Sequence, residues 1–122
     1  MKTSIKTTRL TLTPAISDYI DKKIVDIEKL IDKNDESAAA QIEIEKTTAH
    51  HNSGNIFRAE INVHIAGKDF RAEATKEDLY AALDAVKDEI TRELSSHKSK
   101  KQTLIKKGGR ALKNYLRGFM EK

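Results

Sequence analysis

Three consecutive stretches of this chain alternate apolar and polar residues with period two, and each is bounded by a turn-sized break. In "AAAQIEIEKT" Ala40, Ile42 and Ile44 alternate against Gln41, Glu43 and Glu45. In "IFRAEINVHIA" Phe57, Ala59, Ile61, Val63 and Ile65 oppose Arg58, Glu60, Asn62 and His64, and in "DFRAEA" Phe70, Ala72 and Ala74 oppose Asp69, Arg71 and Glu73. Side chains of a strand point to opposite faces in turn, so each stretch is a strand with one buried face and one wet face. The short turn around Gly67 and Lys68 makes the last two a hairpin.

Helical patterns lie on either side of this block. In "LTPAISDYIDKKIVDIEKLIDK" Thr13 is placed to cap and Pro14 to occupy the first helical position, while Ile16, Ile20, Ile24, Ile27 and Ile31 share one face. After the third strand, Thr75 and Asp78 approximate a capping box ahead of an apolar stripe of Leu79, Ala82, Leu83, Val86, Ile90 and Leu94. A Thr-rich opening, "KTSIKTTR", favours one more short strand with Ile5 at its centre. The order is β-α-β-β-β-α. A right-handed crossover through the first helix makes the first two strands parallel neighbours, and the remaining strands form an antiparallel meander. Both helices must cover the same sheet face, because the chain's 122 residues, 38% of them hydrophobic, suffice for one core. The expected fold is therefore α+β, a two-layer sandwich of a four-stranded mixed sheet with two helices on one face.

The formal charge of +4 is unevenly spread. Residues 1–96 hold 14 Lys and Arg against 18 Asp and Glu, whereas residues 97–122 hold 9 against 1. A basic C-terminal end of this kind favours a polyanionic partner or a solvated tail. The chain has no cysteine, which removes disulfides and thiolate metal sites and suits a reducing cytoplasm. No apolar run approaches the roughly 18 residues that span a bilayer, and Lys2, Lys6 and Arg9 precede no signal-like stretch, so a soluble, unexported, cytoplasmic protein is expected.

Catalytic and metal chemistry find little support. His50 and His51 are adjacent in the loop "TAHHNSGN", but neighbouring side chains seldom converge on one ion, and no HExxH-like spacing accompanies them. His64 falls on the polar sheet face beside Glu43 or Glu45, depending on register, without a nucleophile or a carboxylate pair. Gly108-Gly109 lacks the strand-to-helix setting of a phosphate loop. The expectation is no enzyme, no metal and no cofactor.

Nucleic-acid binding fits better, through the helices. A sheet that stacks bases needs aromatics on its open face, and here Phe57 and Phe70 have core parity while the open face carries Glu43, Glu45, Glu60 and Glu73. Cations gather instead at Lys22, Lys23 and Lys29 on the first helix, and at Arg92, His97, Lys98, Lys100 and Lys101 towards the end of the second. Some of the latter also complement the helix dipole.

"LTPAISDYI", "SGNIFRAEI" and above all "EDLYAALDAVKDEITRELSSHKSK" resemble the ribosome hibernation promoting factors, also called ribosome-associated inhibitors or the sigma-54 modulation family. The D-[LM]-Y-A-A-[IL]-D and H-K-x-K pieces carry the resemblance, which covers about residues 1–101. It implies a ribosome-binding domain over 1–101 that occupies the mRNA and tRNA channel of the small subunit, grips rRNA by basic helix faces and shuts off translation in stressed or resting cells. Lys23, Arg92, His97, Lys98 and Lys100 match basic positions of the family, so the RNA-binding role is carried onto them. Asp26, Glu89 and Ser96 depart from it, standing where relatives often carry basic residues. Long members of the family append a dimerisation domain; with about 20 residues after the match, ribosome pairing through such a domain is not expected, and the protein is expected to be a monomer off the ribosome.

Residues 102–122 form a basic tail, in which Leu112, Tyr115, Leu116 and Phe119 or Met120 follow a helical pattern interspersed with Arg110, Lys113 and Arg117. With Lys106 and Lys107, these cations complete the candidate RNA-binding set, and the tail is expected to touch rRNA or a ribosomal protein rather than a membrane. Two other readings stay open: a free double-stranded RNA-binding module, which shares the α-β-β-β-α order, and a protein-protein regulator of transcription.

Overall fold

A computed structural model describes the backbone of residues 1–48 and 54–106, and the side chains of residues 1–47 and 54–100. Six elements follow one another: β1 (Lys2–Thr8), α1 (Pro14–Glu28), β2 (Ala39–Thr48), β3 (Asn55–Ile65), β4 (Lys68–Lys76) and α2 (Leu79–Lys106). The strands form one sheet in the order β1-β2-β3-β4, with β1 parallel to β2 and the other neighbours antiparallel. This is the expected α+β arrangement.

The period-two pattern fixes the register physically, since a slip of one residue would turn every apolar side chain out of the core. Ile42 pairs with Ile61, Ala40 with Val63 and Ile44 with Ala59 across β2 and β3, and Ile61 pairs with Ala72 across β3 and β4. Their covered face meets Ile20, Ile24 and Ile27 of α1 and Leu79, Leu83, Val86, Ile90 and Leu94 of α2 in one buried cluster. Each such side chain contributes about 1.5–3 kcal/mol by leaving water.

The punctuation is partly as read and partly different. Thr13 caps α1, its hydroxyl accepting the Ile16 N–H at 3.2 Å, with Pro14 following. The capping box at Thr75 is not formed, because Thr75 and Lys76 are still strand residues and Thr75 pairs with Arg58. Asp78 caps α2 instead, accepting the Ala81 N–H at 3.1 Å through its carboxylate and the Ala82 N–H at 3.0 Å through its carbonyl. The hairpin turn is Ala66-Gly67, one residue earlier than the pattern indicated, with φ of 47° and 76°. Both central residues are left-handed, as a two-residue hairpin on twisted strands requires. The Ala66 N–H donates to Asp35 Oδ2 at 2.9 Å, tying the α1–β2 connection to the hairpin.

Candidate nucleic-acid interface

The sheet's open face carries charge, but the charge is consumed internally. Register places Glu43, Glu60 and Glu73 side by side across three strands. Carboxylates directly opposite one another repel. Arg58 resolves this: its guanidinium lies 2.8 Å from Glu60, 3.1 Å from Glu45, 3.4 Å from Glu43 and 3.5 Å from Glu73. Arg71 adds a 2.8 Å contact to Glu60 and a 3.4 Å contact to Glu73. Hydrogen bonds from Arg58 and then Asn62 hold the Glu60 carboxyl below its ordinary range, while the bond to Glu60 raises Arg58. His64 does not face Glu43 or Glu45; the register puts it opposite Asp69, whose carboxylate sits 2.7 Å from Nδ1.

A second charged group joins the helices. Asp84 of α2 accepts the Tyr19 hydroxyl and lies 2.8 Å from the Lys23 ammonium, which also sits 4.6 Å from the centre of the Tyr19 ring. Tyr80 meets Tyr19 edge-on at 4.8 Å. The hydrogen bond with Asp84 raises Lys23, and the bonds from Lys23 and then Tyr19 lower Asp84. Lys23, expected to meet RNA, is thus half-buried and engaged between the helices, whereas Lys22 is exposed.

The rest of the candidate set lies where α2 outruns the core. Leu94 is its last buried residue among those described, yet the helix continues to Lys106, beyond residue 101 where the sequence pattern divides body from tail. Arg92, Lys98 and Lys100 are exposed, and no described carboxylate forms an ion pair with them. Residues step by about 100° around a helix, which separates these cations. Lys98 lies on the flank that faces α1, while Lys100 and, further round the helix, Arg92 lie towards β4, where both border one groove. His97 is half-buried, its ring 5.3 Å from that of Phe70. An open groove of about 560 Å³ lies between α2 and the start of β4, bordered by Arg92, Ser96, His97 and Lys100 on one side and Lys68 and Phe70 on the other. Glu93 contributes a carboxylate to the same wall.

Phe70 and Lys68 were missing from the sequence-based set. Parity assigns Phe70 to the core and composition assigns Lys68 to a turn; only the position of β4 at the sheet edge, under the far end of α2, leaves Phe70 half-buried and brings both to this groove. The side chains of Lys101 and Lys106, and residues Lys107, Arg110, Lys113 and Arg117 altogether, lie outside the described part of the structure, as do His50 and His51. Among the described residues, no group of three or more His, Cys, Asp or Glu could hold a metal, and no helix is long and apolar enough to cross a membrane.

The fold and its charge distribution define a two-layer α+β module whose sheet-face charges are paired with one another and whose second helix ends in exposed cations. The chain belongs to the Sigma 54 modulation protein / S30EA ribosomal protein family, whose model matches residues 3–102. It is 29% identical over 100 residues to a ribosome hibernation promoting factor of Klebsiella oxytoca, covering 82% of this chain and 96% of that protein. A protein of the same name from Azotobacter vinelandii is 31% identical over 100 residues, covering 82% of this chain and 85% of its own. The crystal structure of the Thermus thermophilus Protein Y N-terminal domain superposes with a TM-score of 0.61 at 28% identity, covering 80% of this chain and 99% of that one. A ribosomal subunit interface protein from Coxiella burnetii shares the fold, with a TM-score of 0.60 at 21% identity.

Proposed function

We propose that this protein is a ribosome hibernation factor that enters the mRNA and tRNA channel of the small ribosomal subunit, binds rRNA there and stops translation in stressed or resting cells. Family membership and the names of its relatives support the association with ribosomes. The observation that carries the mechanism is the contrast between two sets of cations. Arg58 and Arg71 are surrounded by carboxylates, whereas Arg92, Lys98 and Lys100 stand exposed on a helix whose buried half is locked to the sheet. Cations in a rigid array suit phosphates of a fixed RNA surface, with recognition by shape and backbone charge.

On this reading Lys22 and Lys98 meet phosphates on the α1 side of α2, Arg92, His97 and Lys100 meet them on the β4 side, and Lys101 also binds RNA. Lys23 acts less as a phosphate ligand than as the residue that holds α1 against Asp84. Lys106, Lys107, Arg110, Lys113 and Arg117 extend the basic surface towards rRNA or a ribosomal protein. The protein acts in the cytoplasm, without a cofactor or catalytic step, and as a monomer when off the ribosome.

The test is sedimentation with purified small subunits and whole ribosomes, together with inhibition of translation in vitro. An Arg92→Ala, Lys98→Ala, Lys100→Ala variant should stay folded, lose inhibition and lower the salt slope of binding by about 0.7–0.9 per phosphate contact removed. Truncation after Lys106 should lower the slope further while sparing α2. Undiminished inhibition by the folded triple variant overturns the reading. Binding to a simple RNA duplex in preference to small subunits, or salt-insensitive binding to an RNA polymerase component, would replace it with one of the alternatives.

A further inference from the structure

The groove between α2 and the start of β4 differs from an ordinary phosphate-binding patch. Its floor has aromatic surface, with the Phe70 ring half-buried and 5.3 Å from the His97 ring at an interplanar angle of 62°. Its rim has charge of both signs: Lys68, Arg92 and Lys100 supply cations, and Glu93 supplies a hydrogen-bond acceptor. A patch that only neutralises phosphates needs neither the rings nor the acceptor. The volume of about 560 Å³ also falls within the range of about 300–1,000 Å³ typical of sites that take a small molecule.

From this juxtaposition we infer that the groove takes one unstacked nucleotide of single-stranded RNA, its base against Phe70 and His97 and its phosphate between Arg92 and Lys100. The proposal rests on the RNA-binding reading above and goes further, since that reading needs only phosphate contacts. Aromatic side chains are the usual platform for a base removed from its stack, and every base offers a π-face, so the site is tolerant of sequence. Glu93 adds one discriminating element, because a carboxylate accepts well from an exocyclic amino group, which adenine and cytosine have, whereas uracil offers only its N3–H flanked by two carbonyl oxygens that the carboxylate repels. Adenine or cytosine is therefore preferred to uracil. Lys68, at the first position of β4, closes the rim opposite α2.

The experiment is an NMR titration of the full-length protein, following the aromatic ring signals of Phe70 and His97. Adenosine 5′-monophosphate, ribose 5-phosphate and uridine 5′-monophosphate are added separately. Adenosine 5′-monophosphate should shift both rings upfield by ring current, ribose 5-phosphate should not, and uridine 5′-monophosphate should bind more weakly. A single-stranded oligoadenylate should bind the Phe70→Leu variant about 5- to 150-fold more weakly than the wild type, the range for loss of one base-aromatic stack. Should Phe70→Leu fail to fold, Glu93→Gln on the rim serves instead and should narrow the preference for adenine over uracil. Ring signals that respond equally to ribose 5-phosphate, or no response at all, overturn the proposal. This outcome is separate from failure of the functional reading: a protein that sediments with ribosomes but shows no nucleotide-specific shift refutes the groove alone, whereas one that shifts normally but ignores ribosomes refutes the functional reading alone.

Discussion

Replacing Arg58 by Met should convert the sheet's open face from a stabilising network into a source of strain, and the pH dependence should reveal it. The methionine fills the space of the arginine stem but leaves Glu43, Glu45, Glu60 and Glu73 without their common partner. Removing one member of a buried ion pair costs about 3–5 kcal/mol. Arg58 is only 21% exposed, but Glu73 is 43% exposed and Arg71 still reaches Glu60, so the figure here is about 2–4 kcal/mol. That corresponds to a fall in Tm of roughly 8–20 °C for a domain of this size. In the wild type the Glu60 carboxyl is held low by Arg58, so its contribution is present above the unfolded carboxylate pKa and lost as pH falls through the folded one. In the variant three adjacent carboxylates raise one another, so the folded state binds protons more readily than the unfolded state and stability rises on acidification. Urea denaturation of both proteins at several pH values between about 7.5 and 4.5 should show a gap that narrows with decreasing pH. A loss below about 0.5 kcal/mol, or a gap independent of pH, would refute the reasoning.

Asp84→Asn should cost about 1 kcal/mol at neutral pH, a magnitude set by the partial exposure of the pair, and the difference from wild type should shrink in acid. The Asp84 carboxyl is held low, so its contribution is lost as pH falls; a gap that persists unchanged through acid unfolding would contradict this. Ala66→Asn should raise stability by about 0.5–1 kcal/mol, because Ala66 occupies the left-handed region at φ 47° and Asn tolerates it better while keeping the N–H bonded to Asp35; an unchanged or lower Tm would count against it. Leu94→Ala should cost about 2–5 kcal/mol, and hydrogen exchange should accelerate most in α2 beyond residue 90, where Leu94 is the last buried anchor among the described residues.

Much of the fold was legible because two periodicities dominate the sequence. Alternation in β2, β3 and β4 specified both the strands and the face each buries, and the isoleucine spacing of α1 specified the other layer. What escaped was punctuation and pairing. Thr75 and Asp78 are both good caps by residue type, and only the ladder between Thr75 and Arg58 decides that the strand continues to Lys76. The partner of His64 depended on register, and the alternation alone does not distinguish Asp69 from Glu43 or Glu45. In the interface, charge revealed the cations of α2 but not their division between two flanks, nor the engagement of Lys23 by Asp84, which lies 61 positions away in sequence.

The arrangement of charge follows from a division of labour between the two layers. An acidic body would repel RNA if its carboxylates lay open, but Glu43, Glu45, Glu60 and Glu73 converge on Arg58 and Arg71, and Asp84 is matched by Lys23. These contacts offset part of the body's acidity close to the sheet, although residues 1–96 still hold 14 Lys and Arg against 18 Asp and Glu. The helix that completes the core then runs beyond it, and the field there is dominated by Arg92, Lys98 and Lys100. Rigid attachment matters as much as the charge. Cations on a flexible segment lose conformational entropy on meeting phosphates, whereas those on a helix anchored by Ile90 and Leu94 have already lost much of it when the core forms. Placing the same residues on the tail alone should therefore preserve the salt dependence of binding while weakening the affinity.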